Sequence, residues 1–207
     1  MNVINNIRQL RSWGTINMLV ASSVALTPEA ALEALCKRVT TRVAFGKTIA
    51  EHSPLDEIRM IVIDNGSPAE DSYQLIHAIR SLDVPNVVFV HNPTNVGFVK
   101  AVDQGLAIST APYVVLMNND TEAAPNWLQL LRQPFDEDIS VAICGPLSTD
   151  GGWQARYHER HPDAIGWVAL IPGQMVAFFC AMLSRTFLDD VGFQHHSFEE
   201  FGGFGGD

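Results

Sequence analysis

At 207 residues, 47% of them hydrophobic and 17% charged, the chain is long enough for one domain with a substantial core, and its composition excludes disorder and fibrous packing. A formal charge of −10 and a pI near 5.0 argue against a nucleic-acid groove and a polybasic membrane patch. An anionic ligand would need a metal ion or a run of backbone N–H groups.

Residues 1–14 read as a polar lead-in, and 15–207 as a single domain. The apolar stretch Ile16 to Leu26 is broken by Asn17, Ser22 and Ser23; it is too short to span a bilayer and lacks the flanks of a signal peptide. Its first part, Ile16 to Ala21, predicts a strand. Thr27-Pro28-Glu29 has the chemistry of a helix start, followed by an apolar stripe through Leu32, Leu35, Cys36, Val39 and Val43. Ile58 to Ile63 predicts a second strand closed by Asp64-Asn65-Gly66-Ser67, and Ala69 to Leu82 a helix. Val87 to Val90 predicts a third strand, and Asn95 to Ser109 a helix with Asn95 as its N-cap and Val99, Val102 and Leu106 inward. Tyr113 to Met117, short and wholly apolar, predicts a fourth strand buried on both faces. Strands alternating with helices in this way give the α/β class, a mostly parallel sheet with helices on both faces.

The C-terminal half is less regular. Trp127 to Arg132 predicts a short helix, Val141 to Cys144 a strand and residues 148–163 a polar surface excursion. Ile165 to Ile171 and Phe178 to Leu183 read as strands, and Arg185 to Val191 as a helix. Cys36, Cys144 and Cys180 give neither zinc spacing nor a disulfide framework, which fits reduced thiols in a cytoplasmic protein.

Three polar clusters follow apolar strands: Ser22-Ser23, Asp64 to Ser67, and Asn118-Asn119-Asp120. In a parallel sheet those strand ends share one edge, where ligands bind. Each cluster alone is equally good turn chemistry; three together point to one crevice. Asp120 is placed to hold a hard cation, since Mg²⁺ takes one or two carboxylates plus phosphate oxygens and water. Asp64 could accept a hydrogen bond from a nucleobase or ribose. The helix start at Asn95-Val96-Gly97, with Lys100 in its first turns, could face a phosphate. His158 and His161 read as solvated rather than ligating, and His195-His196 as a surface loop or an acceptor contact.

Val62-Ile63-Asp64-Asn65-Gly66-Ser67, Asn95-Val96-Gly97-Phe98 with Ala101 and Gly105, and Leu116-Met117-Asn118-Asn119-Asp120 resemble the nucleotide-sugar half of family 2 glycosyltransferases. Pro125-Asn126-Trp127-Leu128, Gly145-Pro146, Gly173, Met182-Leu183-Ser184-Arg185, Phe187 and Val191-Gly192-Phe193 continue the likeness, so it covers residues 58–207. The resemblance implies a GT-A, Rossmann-like fold and an inverting transfer from a nucleotide-diphosphate sugar. It also implies a divalent metal, Mg²⁺ or Mn²⁺. Residues 15–121 would form the nucleotide-sugar half and 122–207 the acceptor side, truncated at the C-terminus. Donor binding would fall to Ser22, Asp64, Asn65, Asn95, Gly97, Lys100, Asn118 and Asn119. Asp120, matching the last acid of the family's Asp-X-Asp motif, would hold the metal; Asn118 stands at the first acid, and Asp103 where Asn is usual. The general base would be Asp207, which follows the Phe201 to Gly206 loop, or the residue after it.

The expected acceptor is a hydroxyl on a glycan or lipid-linked precursor, handled in the cytoplasm or at the inner membrane face, with no nucleic-acid partner. A non-catalytic nucleotide-sugar-binding fragment is one rival. A nucleotidyltransferase is another, although Ser22 to Thr27 lacks the Gly and Lys that its phosphate loop needs. Residues 31–51 also resemble a short piece of the acyl-CoA dehydrogenase C-terminal domain, read as coincidence on an amphipathic helix or as a fused fragment.

Overall fold

The computed structural model describes residues 16–22, 48–54, 56–67, 69–80, 86–118, 121, 123–147, 176 and 179–191. The helix predicted over 27–43, the polar excursion at 148–163, the strand at 165–171, and Asn119, Asp120 and Asp207 lie outside them. Six strands form one sheet: β1 (Ile16–Ser22), β2 (Ile58–Asn65), β3 (Val87–Asn92), β4 (Tyr113–Asn118), β5 (Ile143–Cys144) and β6 (Cys180–Ser184). Among the described residues four helices accompany them: α1 (Ala69–Arg80), α2 (Phe98–Ile108), α3 (Trp127–Glu137) and α4 (Arg185–Val191). A further helical segment covers 48–52.

The strand order is β3-β2-β1-β4-β6-β5. The first four strands run parallel, and β6 pairs antiparallel with both β4 and β5. From β1 the chain steps outward to β2 and β3, then crosses back along α2, which lies against β1 and β2, to place β4 on the other side of β1. The winding direction therefore reverses between β1 and β4, and at such a switch point an α/β sheet opens a crevice beyond its carboxyl ends.

Alternation along the strands divides the core into two layers. Ile58, Met60 and Val62 of β2, with Val115 and Met117 of β4, pack under Ile49 and the α3 residues Trp127, Leu128, Leu131 and Phe135. Ile61 and Ile63, with Val114 and Leu116, pack under Ala101 and Val102 of α2 and Leu188 of α4. Both faces are covered, which is why these strands read as unbroken apolar runs.

Several boundaries differ from expectation. β2 and β3 each extend two residues further, through Asp64-Asn65 and His91-Asn92, because polar side chains do not prevent their backbones from pairing. α2 starts at Phe98 rather than Asn95: Gly97 sits at φ 87°, and the Asn95 side chain accepts from the Gly97 N–H instead of capping the helix. α3 runs on past Arg132 through Pro134. Proline removes the hydrogen bond to the Leu130 carbonyl, but Leu130 is exposed, and burial of Phe135 holds the last turn in place. At the far end of β4, Arg185 donates to the carbonyls of Ala111 and Ser109 and to the Ser109 hydroxyl, fixing the edge away from the crevice.

Candidate functional site

The register gathers the predicted strand-end residues on one edge. Ser22 pairs with Asp64 across β1 and β2, Asp64 with His91 across β2 and β3, and Ala21 with Asn118 across β1 and β4. Asp64 continues the alternation of Met60 and Val62, and Asn118 that of Val114 and Leu116, so the two side chains leave the same edge toward opposite faces.

Asp64 is almost fully enclosed. Its Oδ1 accepts from the Ser67 N–H at 3.0 Å, and its Oδ2 lies 2.9 Å from His91 Nδ1. Burial by itself would raise its pKa, but hydroxyl hydrogen bonds from Ser72 and Ser67, the bond from His91 and the Ser67 N–H outweigh it and hold the carboxyl below its ordinary range. These four donors fill the lone-pair positions of an ionised carboxylate.

Asn65 is buried and equally occupied. Its amide donates to Asn95 Oδ1 at 2.8 Å and to the Gly97 carbonyl at 3.3 Å. Its oxygen accepts from Asn92 Nδ2 at 3.1 Å and from the Val96 N–H at 3.0 Å. Asn92 in turn exchanges hydrogen bonds with Gln104 of α2. One side chain thus clamps the whole 92–97 loop, and Asn95 and Gly97 serve that clamp. Gly66 completes it: at φ 78°, a Cβ there would lie 2.3 Å from the Asn95 nitrogen, so the two loops touch backbone to backbone. Lys100 is exposed in the first turn of α2.

At the β4 exit it is the backbone of Asn118 that is fixed. Its N–H donates to the Phe179 carbonyl, and its carbonyl accepts the Thr121 hydroxyl at 2.7 Å. Among the described residues its carboxamide has no hydrogen-bond partner. The following loop is tied to the 48–53 segment, through Ala123 N–H to Thr48 Oγ1 and Trp127 Nε1–H to Ser53 Oγ. Among the described residues no three His, Cys, Asp or Glu side chains group to form an all-protein metal cage. The described side chains at this exit, the Asn118 carboxamide and the Thr121 hydroxyl, offer oxygen atoms, the ligand type a hard cation takes.

His91, Ser72 and Gln104 were passed over in the sequence, and Asn92 and Gly66 were read only as parts of loop and turn stretches. His91-Asn92 directly follows the apolar run Val87 to Val90, and the strand-end logic that selected the other clusters would have selected it too.

The family model for glycosyl transferase family 2 matches residues 30–198. The chain belongs to this family. The stretch 31–51, with its likeness to an acyl-CoA dehydrogenase segment, lies inside the matched range. The glucosyl-dolichyl phosphate glucuronosyltransferase of Haloferax volcanii is 24% identical over 123 residues, 59% of this chain and 39% of that protein. The mannosyltransferase PcManGT from Pyrobaculum calidifontis, solved with GDP-Man and Mn²⁺, superposes with a TM-score of 0.59 at 16% identity, over 93% of this chain and 48% of its own. GalNAc-T7, solved with UDP, GalNAc and Mn²⁺, gives 0.51 at 15% identity, over 66% and 23%. The fold of this family 2 chain is therefore GT-A, and the chain spans less than half the length of these relatives. No helix among the described residues is long and apolar enough to cross a membrane.

Proposed function

We propose that the chain carries the donor-binding part of an inverting glycosyltransferase that moves a sugar from a nucleotide-diphosphate donor to a hydroxyl on a glycan or lipid-linked precursor, in the cytoplasm or at the inner membrane face. The observation that carries this reading is the convergence of Ser22, Asp64, His91 and Asn118 on one edge of the sheet at its switch point, in a family 2 chain.

The donor would lie along this edge. Its diphosphate would sit at the β4 exit, between Asn118-Asn119-Asp120, Ser22 and the α2 start with Lys100, and its nucleoside toward β2 and β3. Asp120 would hold Mn²⁺ or Mg²⁺, with the Asn118 carboxamide as a neutral oxygen beside it. That both structural relatives were solved with Mn²⁺ supports a divalent ion. When bound, the ion neutralises charge on the departing diphosphate. Asn65, Asn95 and Gly97 keep the 92–97 loop in place, so that Lys100 is presented to the phosphates. Asp207 would take the proton from the acceptor hydroxyl as it attacks the anomeric carbon. Residues 15–121 would serve the donor and 122–207 the acceptor.

Incubation with UDP-, dTDP- and GDP-sugars and Mn²⁺ tests the reading by release of the nucleoside diphosphate. Release that needs Mn²⁺ is expected. Binding without turnover would reduce the chain to a donor-binding unit, and neither binding nor release with any of the sugars would overturn the proposal.

A further inference from the structure

The carboxylate that sequence reasoning assigned to the nucleotide has no acceptor position left over. Asp64 is 6% exposed at its side chain, and Ser67, Ser72 and His91 supply its four hydrogen bonds. His91 is the opposite case. Its side chain is 56% exposed, it sits at the same edge one strand further out, and its only hydrogen bond among the described residues is from Nδ1 to Asp64. An ionised carboxylate can only accept, so a neutral His91 ring carries its proton on Nδ1 and presents Nε2 as a bare acceptor. The lever is therefore a buried anion that spends itself on orienting an exposed imidazole.

We propose that His91 reads the nucleobase of the donor, its Nε2 accepting a hydrogen bond from a ring N–H of the base. This rests on the donor reading above. β3 lies three strand steps from β4, roughly 14 Å at about 4.8 Å per step, so a ligand with its diphosphate at the β4 exit and its length along the edge brings the nucleoside toward β2 and β3. Uracil, thymine and guanine carry a ring N–H; cytosine and adenine present a bare ring nitrogen there, which would set acceptor against acceptor. His91 thus selects uridine, thymidine or guanosine diphosphates over cytidine and adenosine ones. Asp64 acts through His91 as its positioning residue.

The test is isothermal titration of UDP, GDP, CDP and ADP in the presence of Mn²⁺, with the intact chain and with His91→Phe and His91→Gln. In the unaltered chain UDP or GDP should bind roughly tenfold more tightly than CDP and ADP. His91→Phe, which keeps a ring but no acceptor, should erase that preference, and His91→Gln should restore part of it. In the ¹⁵N NMR spectrum of the unaltered chain, the His91 Nε2 resonance should move on adding UDP or GDP and stay in place with inorganic pyrophosphate. That readout needs no variant to fold. A preference retained in His91→Phe, equal affinity for all four nucleotides, or an Nε2 resonance indifferent to the base would overturn the assignment of His91 alone. No binding of any of the four by the unaltered chain would overturn the donor reading beneath it.

Discussion

The two ends of the rim are built on opposite plans. At the β2–β3 exit, polar side chains are spent on each other: Asn65 uses every hydrogen-bonding position on residues 92–97, and Asp64 is saturated by Ser67, Ser72 and His91. At the β4 exit, the backbone is tied down by Phe179 and Thr121 while the Asn118 carboxamide is left unspent among the described residues. A saturated network is rigid but has little to offer a ligand, whereas unspent groups on a fixed backbone can bind one. In the proposed reading the first end therefore serves chiefly as scaffold, with His91 as its outlet, and the second is where charge is handled.

The contrast is broken most forcefully at Gly66. Gly66→Ala combines a left-handed φ with a backbone contact that cannot yield, and should cost about 3 kcal/mol of stability or more, read from urea unfolding. A loss near zero would mean that the two loops do not touch. Next in size, Asp120→Ala should lower Mn²⁺-dependent affinity for UDP- or GDP-sugar about 100-fold, close to 2.7 kcal/mol, while leaving the unfolding midpoint unchanged. An unaltered affinity would return Asn118-Asn119-Asp120 to plain turn chemistry.

Asn65 and Asn118 then form a matched pair, the same residue type at the two exits. Asn65→Ala strands the Val96 N–H and the Asn92 amide, and should cost about 2 kcal/mol of stability. Asn118→Ala should stay within about 0.5 kcal/mol on unfolding, yet weaken Mn²⁺-dependent donor binding several-fold. Equal unfolding losses from the two substitutions would erase the distinction between scaffold and reacting end.

The smallest effect concerns pH. Because the folded state holds the Asp64 carboxyl below its ordinary range, the unfolded chain takes up the proton first as pH falls. The stabilisation is full above the unfolded value near ~4 and is lost as pH drops through the folded one. Stability should accordingly decline as pH falls below about 5, and less steeply in Asp64→Asn. An identical slope in the two proteins would remove Asp64 from the account of the scaffold.

Much of this architecture was legible because buried parallel strands announce themselves as apolar runs: Ile58 to Ile63, Val87 to Val90 and Tyr113 to Met117 all lie in strands, on one edge-sharing sheet. The strand ends were harder to read, since Asp64, Asn65, His91 and Asn92 look like turn residues while their backbones remain paired. Asn95 looked like an N-cap because N-caps and Asx turns use the same side-chain acceptor; only the φ of Gly97 separates them. What no local pattern could supply was pairing at a distance. Asn65 meets Asn95 thirty residues away, and His91 meets Asp64 across twenty-seven. The difference between a saturated Asn65 and an Asn118 that is unspent among the described residues exists only once the sheet has brought their neighbours together.

The central claim is that a donor lies along this edge with its metal at the β4 exit and its base beside β3. A crystal of the protein soaked with Mn²⁺ and UDP or GDP, with anomalous differences recorded at the manganese edge, tests it most directly. The account predicts one strong peak at coordination distance from Asp120 and the diphosphate, with the base against His91. A peak at the opposite end of the strands, or a nucleotide bound away from Asp120 and His91, would contradict it.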